Sequence, residues 1–336
     1  MSLVCNRIHQ PRMDSFCVWG KNPTIVPHAP FDAGADATIL RSAMKRFGTN
    51  EGQIIAVVTK RTLEQRQQIV SQYEKQYNRI AILANSEKSI VPIPFPVEHD
   101  EGSKEGTRWQ SIGVVGGLIF CCLDAFTLDE IVQSYKKQYS KDMKDDVKKD
   151  VSGDYGLLLQ ALMEGKRRPP SSTQTRGNSS MKVAKKLVKA GVGIWLGTDE
   201  KPIIKIFSKC SFKELAEISK AYFKFTSIPL AKSLATETSG NFRELLLKIL
   251  HYAENPINHY ALLLQSALQH SNLNLFKDIN RCRTVVRILV TRSEIDLMDI
   301  EERYSVIATK SLEADVKAAT SSDFQKACLN IIQGNK

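Results

Sequence analysis

Apolar residues recur at helical spacing in three stretches that share one local signal. Tyr155, Leu158, Leu159 and Leu162, then Phe242, Leu245, Leu246 and Ile249, then Phe324, Ala327, Cys328 and Ile331 each fall at i, i+3, i+4 and i+7. That spacing gathers an apolar stripe on one side of an α-helix. Each stripe follows similar punctuation: Asp150-Val-Ser-Gly-Asp-Tyr155, Glu237-Thr-Ser-Gly-Asn-Phe242 and Ala319-Thr-Ser-Ser-Asp-Phe324. Asp154, Asn241 and Asp323, just before the stripes, are the expected helix caps, because their side-chain oxygens can accept from otherwise orphaned amides. Ile54 and Val58, then Ile69, Tyr73 and Tyr77, form further stripes bounded by charge, and nothing alternates convincingly with a period of two. The pattern predicts an all-α fold.

The punctuation is periodic over longer distances. Tyr135, Tyr222 and Tyr304 lie fifteen residues before Asp150, Glu237 and Ala319 respectively. Tyr73 lies twenty-five residues after Gly48, as Tyr222 lies twenty-five after Gly197, so Met44-Lys-Arg-Phe-Gly-Thr-Asn-Glu51 opens a further copy upstream. Duplicated units follow from such spacing. In this first copy the acid falls out of step. Counting from Gly48 gives Lys88, whereas a single deletion beside Asn78-Arg79 gives Glu87, fourteen residues after Tyr73.

Glu237 stands forty residues after Gly197 (237 − 197 = 40) in Trp195-Leu-Gly-Thr-Asp-Glu200. A turn tight enough to need glycine exposes carbonyl oxygens, and a distant carboxylate can close an oxygen cage that suits a hard cation such as Ca²⁺. The same residues also suit a plain helix-joining turn beside a solvated surface acid.

The stretches Phe31-Asp-Ala-Gly-Ala-Asp-Ala37, Met44 to Glu51, Arg61-Thr-Leu-Glu-Gln-Arg-Gln67, Trp195 to Glu200 and Val290-Thr-Arg-Ser-Glu-Ile-Asp-Leu297 stand in family order, and the chain from Phe31 to about Gln333 resembles the annexin family. The resemblance implies an array of four repeats of about five helices, wound into a curved disc whose convex face carries calcium and meets acidic phospholipid. Its boundaries are an irregular tail over 1–30, repeat I over 31–90, a degenerate repeat II over 91–165, a linker over 166–180, repeat III over 181–254 and repeat IV over 255–336. The unusual length, poor second repeat and cysteine content are similar to a divergent protist member such as an alpha-giardin.

Carried over residue by residue, the family pattern puts carbonyl ligands at Trp195 and Gly197 in repeat III, a third at Val192 within the Gly191 to Gly193 region, and the carboxylate at Glu237. An extra residue there blurs the register. In repeat I the carbonyl positions are Met44, Arg46 and Gly48, with Glu87 as the acid; Arg46 stands where the family has glycine and places a cation beside the turn. Thr49, Glu51, Thr198 and Glu200 are accessory positions by the same logic. Repeat II keeps Asp150, but the residue forty positions earlier is Gln110 and no glycine turn aligns. Repeat IV has Lys277, Ile279 and Ala319 in place of the glycines and the acid, so both repeats are expected to be silent.

Composition narrows the reading further. At 336 residues and 42% hydrophobic, the chain can bury a substantial core. Its seven cysteines, Cys5, Cys17, Cys121, Cys122, Cys210, Cys282 and Cys328, show no zinc-ligand spacing and fit a reducing, cytoplasmic setting. Most are expected to be packing residues, with Cys5 and Cys17 in the tail as the reactive thiols. Residues 1–30 carry four prolines and no long apolar run, so neither a signal peptide nor an N-terminal helix is expected there. Ile112 to Leu123 is too short to cross a bilayer and reads as a buried helix. Three prolines within Ser89-Ile-Val-Pro-Ile-Pro-Phe-Pro96 interrupt helical hydrogen bonding, and Lys166 to Ser180 is basic and rich in turn formers, the marks of a remodelled junction and a linker.

Three function classes follow. Calcium-dependent, peripheral binding to acidic phospholipid membranes leads, helped by a net charge of +11 that attracts an anionic leaflet. A cytoskeleton-associated scaffold linking membrane and filaments is the alternative. Nucleic-acid binding is third: Lys182, Lys185, Lys186 and Lys189 share a helical face, but no aromatic pattern accompanies them in the sequence. His251, His259 and His270 form neither a zinc motif nor a nucleophile–base arrangement, so no enzyme is expected.

Overall fold

In the computed structural model of the protein, the described residues are 22–45, 48–78, 120–169, 178–191, 199–269 and 279–335, and they contain helices and no strand. Two compact units emerge. One holds the described residues of 120–256, the other those of 22–78 and 257–335. Repeats II and III therefore build one unit, and repeats I and IV, from opposite ends of the chain, build the second.

In chain order the helices are α1 (Ala33–Lys45), α2 (Glu51–Val58), α3 (Leu63–Tyr77), α4 (Ala125–Tyr139), α5 (Met143–Asp150), α6 (Gly153–Met163), α7 (Asn178–Lys189) and α8 (Glu200–Lys209). They continue as α9 (Phe212–Thr226), α10 (Leu230–Glu237), α11 (Gly240–Glu254), α12 (Pro256–Leu268), α13 (Ile279–Arg292), α14 (Leu297–Ala308), α15 (Leu312–Ala319) and α16 (Ser322–Gln333). Repeats III and IV each show five helices. Described parts of repeats I and II show three each, with Phe120 at the end of a further helix.

Three of the periodic tyrosines make the same bond. Tyr135 donates to Asp146 at 2.9 Å, Tyr222 to Ser233 at 3.1 Å and Tyr304 to Asp315 at 2.6 Å, always eleven residues on. This bond pins a long helix to the short one after it. Five residues beyond each tyrosine the long helix stops at a left-handed residue: Asn78, Ser140, Ser227 and Thr309, with φ between 47° and 59°. A left-handed residue ends a helix by turning its amide back onto an orphaned carbonyl. In the first three of these caps the amide bonds the carbonyl four residues earlier.

The stripes pack as the periodicity predicts. Tyr155, Leu158, Leu159 and Leu162 are buried, as are Phe242, Leu245, Leu246 and Ile249, whereas along α16 only Cys328 of the predicted four is fully buried. The caps differ from expectation. Ser152, Ser239 and Ser321 supply the carbonyls that accept the first helical bonds, from Gly156, Arg243 and Gln325, so Asp154, Asn241 and Asp323 sit inside the first turn. Acids there still interact favourably with the helix dipole.

The described end of the expected tail is a tied strap. Thr24 and Ile25 donate their amides to Ser293 O at 2.8 and 2.9 Å, and Asn335 donates to Thr24 O at 3.1 Å. Asn335 also bonds both backbone groups of Val26 through its side chain. Gly334 permits this closeness: its φ is 68°, and a Cβ there would lie 1.9 Å from Thr24 O. Three motif stretches meet in the same unit. Arg61 grips Asp36 through two hydrogen bonds, and Glu294 accepts from both Leu63 N and Arg66.

The basic segment after repeat II begins inside the core. Arg167 donates to the carbonyls of Cys210 at 2.6 Å and Phe207 at 2.9 Å, and stacks over Phe212 at 4.3 Å. It thereby satisfies the C-terminus of α8. Burial lowers its pKa to about 10. Arg168 pairs with the buried Glu214. The segments 79–119 and 170–177, which contain the proline-rich junction and most of the linker, lie outside the described residues. Among the described residues no helix is long and apolar enough to cross a membrane.

Candidate cation site

Equivalent hydrogen bonds close the two loops singled out in repeats I and III. Asn50 N donates to Ala43 O at 2.9 Å, and Asp199 N donates to Ala190 O at 2.8 Å. Each closing residue then caps the next helix: Asn50 Oδ1 accepts from Gln53 N at 3.1 Å, and Asp199 Oδ1 from Lys201 N at 3.2 Å. Asn and Asp suit this place because their short side chains reach the first-turn amides. Between the bonded residues lie six positions in repeat I (44–49) and eight in repeat III (191–198). The blurred register thus amounts to two additional residues, counted from this bond.

Glycines take the conformations that other residues avoid. Gly48 has φ of +92°, with no atom within 4 Å of where a Cβ would stand, and Gly191 has φ of +90°. The space beside Gly48 is open on the side a side chain would occupy. Met44, near the end of α1, packs its side chain against the core around Leu40 and Ile69. Thr49 and Glu51 are exposed on the loop and the first turn of α2, and Glu200 is half-buried at the start of α8.

Glu237 is the last residue of α10. Directly after it, Thr238 bonds Leu234 O through both its amide, at 3.0 Å, and its hydroxyl, at 2.6 Å. The half-buried Glu237 therefore projects from a fixed corner. It lines an open, polar cleft of about 480 Å³ together with Glu200, Asp150, Asp154 and the starts of α6 and α11. Partial desolvation, then the neighbouring Asp146 charge, pushes the Asp150 carboxyl up. Glu237 and Glu200 both line this cleft. Asp150, set aside with the silent repeat, lines the same cleft, and its matching punctuation was the available signal.

Arg46, Glu87, Val192, Trp195, Gly197 and Thr198 lie outside the described residues, as do Gln110 and Lys277. Ala319 is buried at the end of α15 and offers no side-chain oxygen. The described side-chain donors of the cleft, Asp150, Asp154, Glu200 and Glu237, are hard carboxylate oxygens, and this chemistry fits calcium better than a soft metal.

The sequence model of the annexin family, described as Annexin, matches residues 35–80, 119–162, 184–249 and 280–331. Mouse annexin A11 is 30% identical over 329 residues, which cover 94% of this chain and 63% of the mouse protein. The chain thus spans less than two thirds of that relative's length. A solved calcium-bound annexin (Sm)1 shares 26% identity at a TM-score of 0.72, covering 93% of each chain. Calcium-bound alpha-1 giardin shares 14% identity at a TM-score of 0.63, covering 90% of this chain and 99% of the giardin, a likeness of fold alone.

Proposed function

Because the chain belongs to the annexin family, we propose that it binds acidic phospholipid membranes when calcium rises, the ion bridging loop carbonyls and one carboxylate to lipid phosphate. In repeat III the carbonyls are those of Val192, Trp195 and Gly197, and the acid is Glu237. Repeat I uses Met44, Arg46 and Gly48 with Glu87. Thr49, Glu51, Thr198 and Glu200 are accessory positions.

One observation supports the reading above the rest. Two loops far apart in sequence close through the same hydrogen bond, Asn50 to Ala43 and Asp199 to Ala190, and the second leads into a cleft lined by Glu237 and Glu200. Calcium would supply a charge bridge between surfaces. The protein holds the carboxylate at a braced helix end and keeps the turn open.

Neutral carbonyls and one carboxylate carry little negative charge, so affinity for the ion alone is weak, on the order of 10⁻⁴ M or poorer. Lipid phosphate fills the open coordination positions, so ion and membrane strengthen each other's binding reciprocally. The net charge of +11 adds an attraction to anionic lipid that salt screens.

The test is sedimentation with phosphatidylserine vesicles across calcium concentrations for the wild type, Glu87→Gln and Glu237→Gln. Glu237→Gln is expected to raise the half-maximal calcium concentration about tenfold, because it removes the fixed charge of the cage. Chelator is expected to release the protein. An unchanged calcium requirement in both variants would overturn the site assignment.

A further inference from the structure

Cys121 and Cys122 form a short turn between the buried Phe120, which ends a helix, and Asp124, whose Oδ1 accepts from Thr127 N at 2.7 Å and so caps α4. The turn is thus held at both ends. Cys121 is wholly buried and Cys122 half-buried, so one sulfur belongs to the core while the other is open to solvent. Consecutive side chains on a helix diverge by about 100°. In this turn the two Sγ atoms instead converge to 3.6 Å and share a hydrogen bond, with no disulfide between them.

That separation suits chelation. Two thiolates at about 2.3 Å from one tetrahedral ion stand about 3.8 Å apart, so the pair can close on such an ion with little movement. A disulfide asks for more. Adjacent Cα atoms lie about 3.8 Å apart across a trans peptide, below the roughly 4.4–6.8 Å of ordinary disulfides, and the sulfurs would have to approach to about 2.05 Å. The cleft beside Glu237 offers carboxylates, whereas this turn offers sulfur, and thiolates select soft ions. The buried guanidinium of Arg167 is a charged neighbour of Cys121, and a positive charge near sulfur favours the thiolate.

We propose that Cys121 and Cys122 together chelate one soft divalent ion of the zinc and cadmium class, each thiol releasing its proton to solvent as the ion binds. Two adjacent ligands do not complete a structural zinc centre, which takes four. Solvent supplies the remaining positions from the side of Cys122, so the ion exchanges rather than being locked into the fold. The site uses no residue of the calcium loops.

The test titrates Cd²⁺ into the full chain, reduced with a phosphine and free of calcium, and follows the ultraviolet charge-transfer absorbance of sulfur bound to cadmium. Cys5→Ser/Cys17→Ser serves as the background, which removes the tail thiols. Expected is an absorbance that saturates at one ion per chain, is not displaced by calcium, and shields both Cys121 and Cys122 from alkylation as read by peptide mass spectrometry. Cys122→Ser, at the half-buried position, is expected to weaken binding about tenfold or more, since losing a direct ligand costs at least as much as losing the partner of one. Cys121→Ala/Cys122→Ser is expected to abolish the absorbance. No absorbance in the background protein, or an undiminished one in Cys122→Ser with unchanged circular dichroism, overturns the proposal. So does ready closure of the pair to a disulfide by hydrogen peroxide without any cadmium absorbance, which would make it a redox pair. Glu237→Gln is expected to give the background curve, so failure of the calcium assay leaves this test standing.

Discussion

Tyr304 gives its hydroxyl hydrogen to Asp315, a carboxylate only 8% exposed that Gln269 also contacts at 3.0 Å, whereas the equivalent Tyr222 gives its own to a neutral serine, Ser233. One repeated bond thus differs in charge between repeats. Burial, then the bond to Asp315, lifts the Tyr304 pKa well above the ordinary phenol value.

Removing the hydroxyls separates the two cases. Tyr304→Phe leaves a buried carboxylate with one fewer donor and is expected to cost about 2 kcal/mol, against about 1 kcal/mol for Tyr222→Phe. Urea unfolding of both variants measures the difference, and the reverse order would refute the argument from charge.

The Arg61–Asp36 pair joins two motif stretches, with side chains 12% and 7% exposed. Arg61→Ala is expected to destabilise by about 3–5 kcal/mol, because an unpaired carboxylate stays in the core. Replacing both at once, as Asp36→Leu/Arg61→Met, should cost clearly less than the single change. A double variant as unstable as Arg61→Ala would show that the pair does more than neutralise itself.

Gly334→Ala tests the strap. With φ of 68° and a Cβ position 1.9 Å from Thr24 O, the alanine must push the strap away. A loss of about 2 kcal/mol is expected, with faster proteolysis between Asn22 and Pro30. Cleavage at the wild-type rate would mean that the strap holds without this approach.

Burial pushes the Cys328 thiol up to about 12 from 9.0 and raises Cys210 as well. A raised thiol pKa means less thiolate at a given pH, roughly a thousandfold less for Cys328 at pH 8. Iodoacetamide on the native protein should therefore spare Cys328 and Cys210 and modify Cys5 and Cys17 first. Peptide mass spectrometry reads the order, and early modification of Cys328 would contradict its burial.

The helical stripes were legible in the residues alone because each depends on neighbours within about one or two turns, and the repeat period and tyrosine positions because each copy carries the same residues at the same spacing. The loop glycine Gly48 was legible for the same reason: a positive φ is a local demand. Local reading misplaced the helix starts by two residues, since a serine carbonyl, which every residue possesses, took the first helical bond ahead of Asp154, Asn241 and Asp323.

What needed the tertiary structure were outcomes set by segments distant in sequence. Lys166 to Ser180 reads as a solvated linker, yet Arg167 is buried because the end of α8 presents two carbonyls without helical partners. The lysines of α7 had no aromatic companions in sequence, and only packing against α9 set Phe225 beneath Lys185. The strap over 22–28 likewise finds its acceptors at Ser293 and Ile331, some 270 to 310 residues away. Backbone geometry and side-chain periodicity act at short range and can be read along the chain, but a buried polar group takes whichever partner folding brings to it.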